Sequence, residues 1–238
     1  MYLQNFGLKF DPLGKDVRDT VSNQQYLKVK PDLDNLSQTR GVGLITGESG
    51  VGKTAGIREW VSSLNHLTHK VIYQADNHFR AFDIYSQLGD GLGLEPCHRY
   101  SRLWRNIKNE VLHLYDDKKI TPVWILDEAQ QLPLNFLAEL PAFLNMSFDT
   151  KEPIIILLVG TPQIFNILQR CAYASLSSRI RFHYHWEAID GLDEFSTFIT
   201  AAFNHAGCQQ KLISDSAMAI LHTATKGRLR YAVTSRAI

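Results

Sequence analysis

Short apolar runs alternate along the chain with longer stretches in which apolar residues recur every three or four positions. This spacing predicts strands at residues 42–46, 70–75, 123–126 and 154–159, and helices at 53–64, 79–88 and 103–114. Two of the runs, 123–126 and 154–159, are apolar without interruption, as expected of central parallel strands buried on both faces. A further strand at 180–184 is expected at an edge of the sheet, and helical spacing prevails after residue 189. The pattern therefore predicts an α/β fold, in which helices cover a parallel sheet.

Composition and charge limit the partners that this protein can have. The 238 residues are 45% hydrophobic and 21% charged, which is ordinary for a soluble globular protein. Because 25 Lys and Arg residues oppose 24 Asp and Glu residues, any surface that binds nucleic acid must be local. No apolar run approaches the roughly 20 residues that span a bilayer, and the first residues do not resemble a signal peptide. We therefore expect a cytoplasmic protein without a membrane partner.

The first predicted strand leads into a glycine-rich turn that precedes a helix. The turn matches G-x-x-x-x-G-K-[ST] with the residues Gly47, Glu48, Ser49, Gly50, Val51, Gly52, Lys53 and Thr54. In such a turn, backbone N–H groups and the helix dipole favour phosphate, Lys53 neutralises its charge, and the Thr54 hydroxyl ligates Mg²⁺. The motif therefore predicts that the protein binds ATP and Mg²⁺. The alternative is a glycine turn that opens a helix by chance.

Two carboxylates follow the apolar strand at residues 123–126. A bare charge at the end of a strand buried on both faces is costly unless it faces a cation, so Asp127 is interpreted as a Mg²⁺ ligand. Glu128 then points toward the nucleotide and is predicted to be the general base, or the group that orients the attacking water. The alternative is that both carboxylates only cap the helix that begins near Ala129.

The order of these motifs resembles that of the AAA+ ATPases, which are P-loop NTPases of the ASCE type. The likeness is carried by the glycine-rich turn, by residues 127–130 and by residues 160–162 after the next strand. More narrowly, residues 6–12 and 126–132 are similar to the ExeA/GspA-like group. That group includes secretion-pathway ATPases and the ATP-binding subunits encoded beside bacterial DDE transposases.

The resemblance implies roles for three further side chains. Thr161 matches the sensor 1 position, where a polar side chain contacts the γ-phosphate or the lytic water; a simple strand-end turn is the alternative. Arg179 matches the arginine finger, which acts on the nucleotide of a neighbouring subunit, and Arg181 is the competing assignment. Arg230 matches the sensor 2 arginine, while Arg228 is interpreted as a surface residue. Solvated arginines are the alternative for both pairs.

The same resemblance implies the domain organisation. It predicts a nucleotide-binding domain at residues 1–189, of which 1–40 is an N-terminal linker region, and a helical lid subdomain at 190–238. Relatives of this type usually continue for another helix or more, so we expect a shortened lid. Secretion-type members also carry a transmembrane helix and a periplasmic wall-binding region after the ATPase. Because this sequence has neither, we expect the transposase-associated branch.

Basic residues gather around the predicted helix at 103–114. Arg99, Arg102 and Arg105 are candidate contacts to DNA phosphates, and Arg80 is a second candidate upstream. The alternative is an amphipathic helix with a solvated basic face.

Together these features predict an ATPase that converts ATP and water into ADP and phosphate. The resemblance implies a homo-oligomer, ring or filament, that assembles with ATP and binds double-stranded DNA without sequence preference. It would assist a transposase or integrase in target selection or engagement. Two alternatives remain open, a secretion-pathway assembly ATPase and a nucleotide-binding scaffold with little turnover.

Overall fold

The computed structural model describes residues 7–12, 14, 24–76, 80–146, 151–208, 210 and 212–229. Within these residues, five strands form a single sheet. The strands are β1 (Gly41–Gly47), β2 (His69–Gln74), β3 (Thr121–Leu126), β4 (Ile155–Gly160) and β5 (Ile180–Trp186). Their order across the sheet is β2-β3-β4-β1-β5. The predicted α/β fold is confirmed, and the strand predicted near residue 180 does lie at an edge.

The centre of the sheet is formed by the most apolar strands. β4 pairs in parallel with β1 on one side and with β3 on the other, and β2 pairs in parallel with β3. Every residue of β1, β3 and β4 is buried, which confirms the prediction that the uninterrupted apolar runs are central strands.

β5 runs in the same direction as β1. The side chain of Arg181, near the start of β5, lies against Gly41 at the start of β1. Farther along both strands, His183 contacts Thr46. All five strands therefore end at the same edge of the sheet, here called the carboxyl edge, and begin at the opposite amino edge.

Helices flank the sheet and follow it along the chain. The predicted helices are confirmed, although the third begins at Tyr100 rather than at residue 103. In chain order, the α-helices of the described residues are α1 (Gln24–Thr39), α2 (Lys53–Ser63), α3 (Ala81–Leu92), α4 (Tyr100–Asp116), α5 (Leu134–Leu144), α6 (Pro162–Leu168), α7 (Ala174–Ser177), α8 (Leu192–His205) and α9 (Asp215–Thr225).

The chain divides into two compact units. The first, here the sheet unit, comprises Val29–Thr46 and Ser63–His185. Its core includes an aromatic cluster centred on Tyr85, whose ring lies 5.1 to 5.9 Å from four other aromatic rings. These are the rings of Trp104, Trp124, Phe136 and Phe143. Because α3, α4, β3 and α5 each supply at least one ring, this cluster fixes the helices against one face of the sheet.

The second unit comprises Met1–Lys28, Gly47–Ser62 and Trp186–Ile238. It contains the glycine-rich turn together with α8 and α9. The two helices share a small apolar core in which Phe195 and Ile199 of α8 pack with Met218 of α9. The backbone N–H of Ile189 donates to the carbonyl of Gly227, which ties the segment after β5 to the end of α9.

Candidate nucleotide site

The glycine-rich turn begins at the end of β1 and leads into α2. Gly50 and Gly52 have φ values of 84° and 104°, a conformation that residues with a Cβ atom rarely adopt. The Lys53 ammonium donates to the backbone carbonyls of Gly47 and Glu48, at 2.8 and 2.9 Å. The turn thus holds a positive charge at the N-terminus of α2, where the helix dipole also favours an anion.

Asp127 lies at the carboxyl edge, directly after β3, and is only 5% exposed. Both of its carboxylate oxygens accept hydrogen bonds. The Tyr73 hydroxyl donates to Oδ2 at 2.7 Å, and the backbone N–H of Glu128 donates to Oδ1 at 2.9 Å. A buried carboxylate that is oriented by two donors offers the type of oxygen ligand that Mg²⁺ prefers.

Glu128 follows in a strained backbone conformation, with φ 52° and ψ 41° in the left-handed region. It precedes the short 3₁₀ helix Ala129–Gln131, but its side chain does not cap that helix. Instead, the Gln130 side-chain amide donates to Glu128 Oε2 at 2.7 Å. Capping therefore does not explain why a carboxylate stands at residue 128.

Thr161 lies at the carboxyl edge, between β4 and α6. Its backbone N–H donates to Gln130 Oε1 at 2.9 Å, which brings Thr161 and Glu128 together through one side chain. Its Oγ1 atom is shielded from solvent and has no hydrogen-bond partner within the described part of the chain. A buried hydroxyl without a partner costs about 1–3 kcal/mol, so this atom is well suited to bind an oxygen of a ligand or of water.

Taken one by one, these side chains have the chemistry that a nucleoside triphosphate and Mg²⁺ require. Lys53 supplies a charge for phosphate, and the oxygens of Thr54 and Asp127 are of the type that ligates Mg²⁺. When bound, the metal would neutralise charge on the phosphate oxygens.

Arg179 lies at the amino edge, immediately before β5. It lines a shallow pocket together with Gly41, Glu152 and Ile154, which stand at or next to the starts of β1 and β4. Arg181, its competitor for the finger role, forms an ion pair with Glu152. The structure therefore does not bring Arg179 together with Asp127 and Thr161, which lie at the opposite edge.

The sensor 2 segment is described only as far as residue 229, so Arg230 lies outside the described residues. Arg228 is half-buried rather than a fully solvated surface residue, and its guanidinium lies 4.0 Å from the Glu48 carboxylate of the glycine-rich turn. The structure therefore places Arg228 beside the turn, which the sequence interpretation had not expected.

The candidate DNA residues are all exposed. Arg99 precedes α4 and Arg102 and Arg105 lie on its exposed side, whereas Leu103 and Ile107 of the same helix are buried. Arg80 precedes α3, which packs against α4. The arginines are thus free to contact phosphate, although a solvated basic face has the same geometry.

Lys108 of α4 has a different role from these arginines. Its ammonium donates to the carbonyls of Ala142 and Asn145 at 2.9 and 3.0 Å, at the C-terminal end of α5. It also lies 5.7 Å from the centre of the Trp104 ring, and desolvation lowers the pKa of Lys108. This lysine therefore caps a neighbouring helix.

Two histidines of β5 share one hydroxyl of β1. Thr46 Oγ1 lies 2.8 Å from Nε2 of His183 and 3.1 Å from Nδ1 of His185. The His183 ring stacks on Phe165, with 4.4 Å between ring centres. Desolvation, and secondarily the neighbouring His185, lowers the pKa of His183.

Fold and site together define a P-loop nucleotide-binding protein, because a glycine-rich turn, an acidic strand end and a parallel sheet of this order occur in one chain. The sequence profile of the AAA domain family matches residues 35–168, more than half of the chain. This chain therefore belongs to the AAA domain family. Membership implies binding of a nucleotide with a divalent metal.

This chain is also similar to individual proteins in sequence or in structure. General secretion pathway protein A of Aeromonas hydrophila is 26% identical over 246 residues, which cover 100% of this chain and 44% of that protein. Cdc6p of Pyrobaculum aerophilum superposes with a TM-score of 0.72 at 16% identity, over 95% of this chain and 64% of that one. The ORC1 protein of Aeropyrum pernix, solved in complex with DNA, superposes with a TM-score of 0.68 at 14% identity. This superposition covers 93% of this chain and 60% of that one. The chain thus spans about half to two thirds of the length of these relatives.

Among the residues that the structure describes, no helix is long and apolar enough to cross a membrane. Nor do three or more His, Cys, Asp or Glu side chains of those residues lie together.

Sequence reasoning missed three side chains that contact the predicted site. Tyr73 and Gln130 orient the two carboxylates, and Arg228 lies near the glycine-rich turn. Tyr73 gave no sequence signal, because a tyrosine in a strand is usually a packing residue. Gln130 did stand in the run of residues 127–130 that carries the family resemblance, but nothing in its spacing showed which groups its amide would reach.

Proposed function

We propose that this protein hydrolyses ATP, with Mg²⁺ held by Thr54 and Asp127 and phosphate held by the glycine-rich turn. The observation that carries the proposal is the arrangement at the carboxyl edge. There a carboxylate, Glu128, is held by hydrogen bonding rather than used as a helix cap. It is linked through Gln130 to the backbone N–H of Thr161, whose shielded hydroxyl lacks a partner among the described residues.

The chemistry follows from the groups present. Water attacks the γ-phosphorus, and the bond from that phosphorus to the β–γ bridging oxygen breaks, which leaves ADP and phosphate. The Glu128 carboxylate accepts the proton of the attacking water or orients it. Lys53 stabilises charge on the phosphate oxygens, and the Thr161 hydroxyl is available to donate to the γ-phosphate or to the water.

Arg179 is proposed to complete the site of a neighbouring copy. β4 has six residues, so at about 3.3 Å per residue its two ends are about 20 Å apart. An arginine at the amino edge cannot span that distance to reach Thr161 of its own chain. Arg181 is paired with Glu152, and Arg179 is the position that the sequence resemblance assigns to the finger. A finger supplied in this way makes assembly with ATP, in a ring or a filament, a condition for turnover.

We further propose that the assembled protein binds double-stranded DNA without sequence preference and assists a transposase or integrase. The support is the exposed arginine set on α4 together with the sequence resemblance given above. ORC1 of Aeropyrum pernix, which shares the fold, was solved in complex with DNA. Phosphate contacts of this kind provide affinity that depends on salt rather than on sequence.

A second candidate function is assembly of a secretion apparatus. It is favoured by the alignment of the whole chain with General secretion pathway protein A. A scaffold that binds nucleotide with little turnover is the third possibility.

Steady-state ATP hydrolysis, measured with and without duplex DNA, separates the three. The DNA-linked function requires turnover that DNA stimulates and binding that ATP promotes. Turnover without any response to DNA supports the secretion role, and nucleotide binding without turnover supports the scaffold. Turnover without a response to DNA overturns the DNA-linked role alone, whereas nucleotide binding without turnover overturns the proposed hydrolysis as well.

A further inference from the structure

We infer that Gln130 is a positioning residue for the hydrolysis proposed above, on which this inference rests. The side-chain hydrogen bonds of Gln130 in the described structure are to groups of the protein itself. It contacts two groups, the carboxylate of Glu128 and the backbone N–H of Thr161. Through these contacts it holds the carboxylate of Glu128 in a defined position relative to the turn after β4.

The orientation of the Gln130 amide follows from its partners. An ionised carboxylate only accepts hydrogen bonds, and a backbone N–H only donates them. The amide nitrogen must therefore face Glu128, at 2.7 Å, and the amide oxygen must face Thr161, at 2.9 Å. A flipped amide would lose both hydrogen bonds, so a single orientation of the side chain satisfies the site.

The turn after β4 is shaped to receive this side chain. A Cβ atom at Gly160 would lie 2.5 Å from Gln130 Oε1, closer than such contacts occur, so any other residue there would displace the Gln130 amide from its present position. Gly160 is the last residue of β4, the central strand, and pairs with Thr46 of β1. Gln130 thus packs against the carboxyl end of the central strand.

The link restricts a side chain that would otherwise be mobile. Glu128 has a left-handed backbone, and within the described residues its Oε1 atom makes no hydrogen bond. One oxygen is held by Gln130, and the other remains available for water. A held carboxylate starts closer to the reactive geometry, and such positioning affects rate more than it affects substrate binding.

A matched control stands next to Gln130 in the sequence. Gln131 has the same side chain in the same 3₁₀ helix, is exposed, and makes no side-chain hydrogen bond with the described residues. Replacing it by Met controls for general effects of the substitution.

The test compares Gln130→Met, Gln130→Glu and Gln131→Met in the full chain under assembly conditions. Gln130→Met removes both hydrogen bonds at nearly constant length, whereas Gln130→Glu keeps the acceptor for Thr161 but loses the donor to Glu128. We expect kcat to fall about 10- to 100-fold in both, with KM for ATP changed less than about 3-fold. Gln131→Met should match the wild type.

A double-mutant cycle shows whether Gln130 acts through Glu128. In a Glu128→Gln background, single-turnover hydrolysis should be no slower when Gln130→Met is added, because the group being positioned is already gone. The same fold-loss in both backgrounds would overturn the inference, as would wild-type kcat in Gln130→Met. So would a parallel loss of nucleotide binding and thermal stability in both Gln130 variants, which would make the residue merely structural.

Failure of the proposed function gives a different result. If the wild type does not hydrolyse ATP, or if Glu128→Gln turns over as fast as the wild type, the hydrolytic role of Glu128 is wrong and the positioning role falls with it. If Glu128→Gln is inactive and Gln130→Met is fully active, only the inference about Gln130 is wrong.

Discussion

The two edges of the sheet carry opposite chemistry. At the carboxyl edge, Asp127 and Glu128 present carboxylates and Thr161 presents a shielded hydroxyl. At the amino edge, Arg179 and Arg181 present guanidinium groups, and Arg181 forms an ion pair with Glu152. Both sets belong to the sheet unit, so their separation is a property of a single compact body.

If Arg179 is the finger proposed above, this difference means that one chain holds the parts of a site that it cannot complete alone. Parallel strands direct all their carboxyl ends to one side, so groups that follow strands converge there, whereas groups that precede strands lie on the other side. Arg179 precedes β5, and Thr161 follows β4. Cooperation between them is therefore possible only across copies.

The largest expected effect is at the glycine-rich turn and the carboxyl edge. Lys53→Ala should lose nucleotide binding and hence all turnover, because the ammonium meets phosphate directly. Glu128→Gln should retain ATP without hydrolysing it, because only the proton acceptor is lost. Filter binding of labelled ATP distinguishes the two. Equal retention by both variants would show that Glu128 is not specifically a hydrolytic group.

The next effect is at the amino edge. Arg179→Ala should bind ATP like the wild type yet lose about 10³-fold in turnover, since a finger contributes to the transition state rather than to binding. Arg181→Ala is the control, because its partner is Glu152, and it should stay within a few-fold of the wild type. A larger loss of turnover in Arg181→Ala than in Arg179→Ala would show that Arg181, rather than Arg179, is the finger.

Mixing two inactive variants tests whether the amino edge of one copy acts on the nucleotide site of another. Arg179→Ala retains an intact glycine-rich turn, and Lys53→Ala retains an intact finger. Combined, they should recover part of the activity at shared interfaces, as measured by steady-state hydrolysis across mixing ratios. No recovery at any ratio, with co-assembly shown by light scattering, would argue against a finger that acts between copies.

A smaller effect is expected on α4. Replacing Arg99, Arg102 and Arg105 together by Ala should reduce the log–log salt slope of DNA binding by about 0.9 per lost phosphate contact. ATP binding should not change, because these residues lie outside the glycine-rich turn. Lys108→Ala is the matched control: it removes a helix cap, so it should lower the melting temperature and leave the salt slope unchanged. Equal salt slopes in the wild type and the triple variant would show that these arginines form only a solvated face of the helix.

The smallest effect concerns pH. Because the pKa of His183 in the folded protein lies below its ordinary value near 6.5, the unfolded chain takes up a proton first as pH falls. This contribution to stability is present above pH 6.5 and is lost as pH falls through 6.5 toward the folded pKa. Between pH 7.5 and pH 5.5, the melting temperature of His183→Gln should therefore fall less than that of the wild type. An identical drop in both proteins would assign the loss to other groups, His185 being the nearest.

Sequence reasoning predicted the five strands and the helices that have strong apolar spacing. It did not single out α1, α5, α6 or α7. α1 carries a proline at position 31 and α5 one at position 141, which breaks the expected pattern, and α6 and α7 have only seven and four residues. Short or proline-containing helices depend on tertiary packing, which local periodicity does not report.

The sequence by itself determined the glycine-rich turn, the acid pair and the α/β class. Each of these is a property of neighbouring residues: a motif of eight positions, two carboxylates after an apolar run, and the period of the apolar pattern. Backbone geometry within a few residues decides what such groups can do, so their order along the chain is sufficient to predict them.

Only the tertiary structure decided which distant groups meet. Tyr73 contacts Asp127 across 54 residues, Gln130 contacts Thr161 across 31, and Arg181 contacts Glu152 across 29. These contacts depend on the order β2-β3-β4-β1-β5, in which β2, β3 and β4 lie side by side and β1 lies between β4 and β5. Strand order is set by the packing of the whole core, and no local pattern encodes it.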